Sequence, residues 1–115
     1  MNSLKNRVTL IGNLGKDIEI KTTKNGRKYA KFSVATNENY KSSNGDKVTD
    51  TQWHNIVAWG KIAEIMSDIL SKGNELAVEG RLSYSKYEDK EGITRYSTDI
   101  ILNDFYKLTK SDVPI

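Results

Sequence analysis

Apolar and polar residues alternate through most of this chain, the period-two mark of half-buried strands. Val8, Leu10 and Leu14 fall on one face of a first strand, with Gly12 and Gly15 marking a bend or bulge. Ala30, Phe32 and Val34 make the inward face of a second strand, and Tyr29, Lys31 and Ser33 its outward face. Asn25-Gly26 just before it is a tight-turn signal that pairs it with residues 17–23 as a hairpin. Residues 38–50 are polar and read as a long connecting loop or a hairpin tip. A third strand is expected from about Thr51 to Trp59. The pattern breaks once. Ile62, Ile65, Met66 and Ile69 recur at helical spacing within Lys61–Lys72, and Gly73 is placed to stop a short amphipathic helix. Alternation then resumes through Leu76, Val78, Gly80, Leu82 and Tyr84. A turn at Asp89–Gly92 returns the chain through Thr94–Thr98 to Leu108.

Three strands, one helix and two strands is the order of the OB-fold. That fold is a five-stranded Greek-key barrel with one helix between strands 3 and 4. The expectation is therefore an all-β domain over residues 1–108 and a short C-terminal tail over 109–115. A closed barrel suits 115 residues with no Cys to cross-link them. The lack of Cys also removes thiolate metal sites and fits a cytoplasmic protein. No apolar run approaches the roughly 18–20 residues needed to cross a bilayer. The segment Met1 to Arg7 has no apolar stretch of the secretory kind.

Charge changes the picture through its distribution. The net value is only +3, but residues 1–50 hold ten Lys/Arg against five Asp/Glu, and residues 51–115 hold eight against ten. A basic half suggests an anionic partner, though a solvated surface explains the same charges. Catalysis is poorly provided for. His54 is the single histidine, and Gly12-Asn13-Leu14-Gly15-Lys16 lacks the spacing of a phosphate loop and leads toward a strand. No metal site and no cofactor are expected.

Binding is better provided for. Period two puts Trp53, Asn55, Val57 and Trp59 on one face of the third strand, and His54, Ile56 and Ala58 on the other. Ile56 and Ala58 already supply an inward face, so the two indoles, on the order of 20 Å apart, read as an outward platform. Lys61 follows at once. Tyr40 lies in the polar segment 38–50, flanked by Lys41 and Lys47. The last hairpin carries Arg81, Tyr84, Lys86 and Tyr87 on one arm and Arg95 and Tyr96 on its return. Rings interleaved with cations suit a single nucleic-acid strand, with bases stacked and phosphates paired. The same tyrosines could instead pack across strands while the charges solubilise.

The run Asn6-Arg7-Val8-Thr9-Leu10-Ile11-Gly12-Asn13-Leu14-Gly15-Lys16-Asp17 resembles the opening signature of bacterial single-stranded-DNA-binding proteins. Further matches follow in order: Ala35-Thr36-Asn37-Glu38, Thr51-Gln52-Trp53-His54, Trp59-Gly60-Lys61, Val78-Glu79-Gly80-Arg81-Leu82 and Arg95-Tyr96-Ser97-Thr98. The resemblance covers about residues 5–102. It implies an OB-fold with no enzymatic activity and no cofactor, a homotetramer associated with the nucleoid, and a role in DNA replication, recombination and repair. The family's stacking rings fall on Tyr40, Trp53, Trp59 and Tyr87, and its basic contacts on Arg7, Lys61, Arg81, Lys86 and Arg95. His54 falls at a family subunit contact, and the first strand, with Val8 and Leu10, at a subunit-pairing strand.

The departures carry expectations too. The family favours Trp at the positions of Tyr40 and Tyr87 and Phe at that of Trp59, so stacking should persist with altered strength. Basic family positions are occupied by Asn55 and Ser85. Each lost phosphate contact removes roughly 0.7 from the salt slope on single strands. In place of a long linker ending in several acids and an aromatic, Asp112-Val113-Pro114-Ile115 follows directly. This ending reads either as a frayed terminus or as a reduced docking tip at Asp112, Pro114 and Ile115 for replication and repair proteins, on a short tether. Two other readings compete: an adaptor that binds partner proteins, and an OB-fold nuclease, which would need an acidic metal cluster.

Overall fold

The computed structural model describes residues 3–108. The strands are β1 (Val8–Leu14), β2 (Lys21–Thr22), β3 (Lys28–Lys41), β4 (Lys47–Trp59), β5 (Glu75–Glu88) and β6 (Thr94–Lys107), and the helix α1 (Lys61–Ile69) lies between β4 and β5. The sheet order is β1-β5-β6-β4-β3-β2, and β1 also pairs with β3, which closes five strands into a barrel. This is the expected all-β OB-fold, with the two-residue β2 added as a hairpin partner of β3. One seam is parallel: β4 meets β6 through Ile56–Ile100 and Val57–Ile101.

The inward faces are those the alternation marks. Ala30, Phe32 and Val34 of β3 meet Ile56 and Ala58 of β4, Leu76 and Val78 of β5 and Ile100 and Leu102 of β6. Ala63 and Met66 of α1 cap one end of the barrel. Fully burying side chains of this size contributes roughly 1.5–3 kcal/mol each, so this cluster dominates stability. Closure is tight at two glycines. A Cβ on Gly12 would overlap the Ala35 carbonyl, and one on Gly80 would overlap the Ile101 carbonyl. Gly80 also sits at a bulge in the β5–β6 pairing. Asn6 extends the β1–β5 ladder with a side chain: its amide donates to the Leu82 carbonyl at 3.0 Å and accepts from the Leu82 N–H at 2.9 Å.

Three boundaries differ from the sequence expectation, each for a local reason. The polar stretch 38–50 is mostly strand, because β3 and β4 stay paired out to Lys41–Lys47, and only the turn between them is loop. The third long strand therefore starts at Lys47 rather than Thr51. The helix ends at Ile69, since Leu70 turns extended and buries its side chain in the core. Gly73, with φ of 90°, serves the turn that follows instead. Gly60, with φ of 72°, makes the abrupt exit from β4 into α1 that a side-chain-bearing residue resists.

Candidate nucleic-acid interface

Strands β3, β4, β6 and β5 present one continuous outer surface. The pairing Tyr29–Trp59, Lys31–Val57, Ser33–Asn55 and Ala35–Trp53 puts both tryptophans on it, as alternation predicts. Trp53 is 60% exposed. Its Cζ3 lies over Gly15, where a Cβ would stand 2.7 Å away. Trp59 is half-buried and differently dressed. The Arg27 guanidinium carbon sits 4.4 Å from its ring centroid, and Tyr29 packs beside it at 5.2 Å with the planes tilted by 35°. Val57 is buried although it faces outward, because it pairs with Ile101 across the seam. Between the indoles lies an open cleft of about 310 Å³, lined by Lys16, Lys31, Ser33, Asn55, Val57 and Asp99 among others.

Two hairpin arms extend this surface beyond the barrel. Tyr40 is 54% exposed and pairs with Val48 near the tip of the β3–β4 arm. Register puts it on the face opposite Trp53, the face that continues the core side of β3. On the β5–β6 arm, Tyr87 pairs with Arg95 and is 54% exposed. It shares a face with Arg81, whereas Lys86 lies on the other face with Tyr84 and its partner Tyr96. The predicted rings are therefore all at the surface, but distributed over both faces of the arms.

The predicted cations also divide. Lys61, Arg81 and Lys86 are exposed and make no ion pair among the described residues. Arg7 is bound to Glu79 at 2.9 Å, and Arg95 Nε donates to Asp89 at 2.9 Å. Asp89 organises the tip of its arm. Its Oδ1 accepts the N–H groups of Glu91 and Ile93, each at 2.9 Å. The Ile93 N–H first, then the Arg95 guanidinium and the Glu91 N–H, hold its carboxyl below the ordinary aspartate value. A depressed carboxylate stabilises the fold above its unfolded value, and the benefit goes as pH falls through the folded one. The Ile93 amide shift should therefore titrate with a midpoint below that of an ordinary aspartate, and the titration should vanish in Asp89→Asn. A midpoint at or above the ordinary value overturns this account.

The positions expected at a subunit contact are placed as follows. His54 is half-buried on the face opposite the tryptophans, with Nε2 2.9 Å from the Thr36 hydroxyl. Val8 and Leu10 pack inward against the core, and the exposed apolar residue of β1 is Ile11. The edge of β1 away from β5 is unpaired until Asn13 and Leu14 reach β3. Asp112, Pro114 and Ile115 lie outside the described residues. Among the described residues no group of acids and histidines could hold a metal ion, and no helix is long and apolar enough to cross a membrane. Sequence reasoning missed Arg27, Lys16 and Gly15 as members of this surface. The one available signal was position, since Arg27 directly follows the Asn25-Gly26 turn that feeds Tyr29.

The chain matches the profile of the single-strand binding protein family over residues 5–108. It is 43% identical over 108 residues to single-stranded DNA-binding protein 1 of Chlorobaculum tepidum, covering 93% of this chain and 67% of that one. It is 44% identical over 103 residues to the single-stranded DNA-binding protein of Neisseria meningitidis serogroup B, covering 90% of this chain and 59% of that one. The chain thus spans about three-fifths to two-thirds of the length of these relatives. Among solved structures, the Plasmodium falciparum SSB in complex with ssDNA superposes with a TM-score of 0.81 at 33% identity, covering 90% of this chain and 95% of that one. A deletion mutant of the Thermus aquaticus single-stranded DNA binding protein gives 0.78 at 25% identity, covering 91% and 51%.

Proposed function

Since the chain belongs to the single-strand binding protein family, we propose that it binds single-stranded DNA with little sequence preference, as a passive binder and not an enzyme. The observation that carries this reading is an indole 60% exposed on a sheet surface that also presents cations with no carboxylate partner among the described residues. Stacking reads the π-face that every base has, at about 1–3 kcal/mol per base, and Lys and Arg neutralise the backbone. Trp53 and Trp59 take bases on the outer surface, while Tyr40 and Tyr87 take them on the arms. Because Tyr40 and Trp53 lie on opposite faces of one ribbon, a strand serving both must turn around the arm. Arg7, Lys61, Arg81, Lys86 and Arg95 track the phosphates. For Arg7 and Arg95 this means exchanging a carboxylate partner for a phosphate.

Assembly as a homotetramer is part of the same proposal. The unpaired β1 edge with exposed Ile11 supports a strand-to-strand subunit contact, with His54 at a second one. Such a binder acts in the nucleoid during replication, recombination and repair, and Asp112, Pro114 and Ile115 are proposed to dock partner proteins. Titration with oligo(dT) should quench tryptophan fluorescence, and duplex DNA of equal length should compete poorly. Fluorescence that does not change on adding oligo(dT) in dilute buffer overturns the reading.

A further inference from the structure

We propose that Arg27, Lys31 and Lys16 form a row that binds the phosphates of a single strand along the outer face of β3, and that the Arg27 guanidinium is a displaceable cap on Trp59. The proposal rests on the reading of this chain as a single-stranded-DNA binder and assigns to it cations that the resemblance does not supply. Tyr29, Lys31 and Ser33 alternate outward on β3, and Arg27 precedes them from the turn. Successive outward side chains lie roughly 7 Å apart along such a strand. Lys16 reaches the same cleft from the segment after β1 and lines it together with Lys31. None of the three has a carboxylate partner among the described residues. The neighbouring Lys28 does, at 2.6 Å from Glu64 on the helix side. The carboxylate lining this cleft, Asp99, comes from β6. Phosphates are repelled from that wall and kept on the β3 side.

Arg27 adds a second effect. With the guanidinium 4.4 Å from its centroid and Tyr29 beside it, Trp59 offers a base little open ring. An exposed cation–π contact is worth about two- to fivefold in an equilibrium. A stacked base is worth about five- to 150-fold. An arriving base therefore displaces the guanidinium, which is then free beside that base's own phosphate.

The two effects separate in a salt series. Oligo(dT) affinity is measured from low to high salt for the parent, Arg27→Ala, Lys31→Gln, Lys16→Gln and Lys107→Gln, each checked for an unchanged melting temperature. Lys107 serves as the control because it binds the Ile69 carbonyl at the helix end. The three row variants should each lose about 0.7 from the slope of log affinity against log salt. Lys107→Gln should keep the parent slope. Arg27→Ala should in addition cross the parent line, binding more weakly at low salt and at least as tightly at high salt, because the indole is uncovered. Parent-like slopes in all three row variants overturn the row, and uniform weakening of Arg27→Ala at every salt overturns the cap. In both cases the parent still binds, and the general reading stands. A parent that does not bind oligo(dT) at all overturns both.

Discussion

Trp53→Ala is expected to weaken oligo(dT) binding by about 1–3 kcal/mol, roughly five- to 150-fold, while leaving the melting temperature within a degree or two of the parent. The two halves of that expectation come from the same geometry. The ring is 60% exposed, so its removal takes little from the core. What it loses is one flat apolar surface on which any base can lie. The ring is also held in place from below. Its Cζ3 rests over Gly15, and a Cβ there would come within 2.7 Å of that atom and 2.8 Å of the Ser33 hydroxyl. Gly15→Ala should therefore tilt the indole off its seat and reproduce part of the loss without touching the ring. Equilibrium titration of both variants checks this. An affinity within twofold of the parent for Trp53→Ala would remove the central stacking position. Trp59→Ala is a less clean probe, because it also strips a partner from Arg27 and Tyr29.

The sequence made the core and the tryptophan face legible because both follow from alternation within one strand. Ile56 and Ala58 had to be inside if Trp53 and Trp59 were outside, and no long-range information was needed. Tyr40 was harder. Its face depends on the register of the β3–β4 hairpin, in which Tyr40 opposes Val48 and Ala35 opposes Trp53. That register is fixed by a turn closed by Ser42 and Asp46, where the Ser42 N–H donates to the Asp46 carbonyl at 2.8 Å. Reading 38–50 as a connecting loop or a hairpin tip left the register, and with it the face, undetermined. Counting outward from Asn44 as the turn centre, which pairs Lys41 with Lys47 and Tyr40 with Val48, would have placed Tyr40 opposite the tryptophans. Arg27 was out of reach in another way, since 32 positions separate it from the indole it covers. The helix end was misplaced because Leu70 continues an apolar pattern that serves the core equally well from an extended backbone. The ion pairs of Arg7 and Arg95 join residues brought together by strand pairing and by a tight turn, which charge counting alone does not order.

Gly12→Ala is expected to destabilise the protein more than any other single-methyl addition outside Gly80. The reason lies in how the barrel closes. Near Gly12 the first strand crosses onto β3, where Asn13 and Leu14 pair with Ala35 and Val34. A methyl group at Gly12 would overlap the Ala35 carbonyl and stand 2.9 Å from Val34 Cγ1. A flexible side chain could swing aside, but a carbonyl in a closed sheet cannot retreat without parting the β1–β3 seam. Overpacking of this kind costs typically about 1–3 kcal/mol and sometimes more. For a domain of this size that lowers the melting temperature by roughly 4–8 °C per kcal/mol. Gly45→Ala makes the informative contrast. Nothing lies within 4 Å of a Cβ there, and the only penalty is its positive φ of 85°, about 1–2 kcal/mol at the tip of an exposed arm. A melting temperature for Gly12→Ala within 2 °C of the parent would mean that the β1–β3 seam yields easily. Gly15 follows that seam and its N–H donates to the Ser33 carbonyl at 2.9 Å, so the seat of Trp53 is set by the same closure. Partial loss of the seam should then appear as weaker binding before it appears as global unfolding.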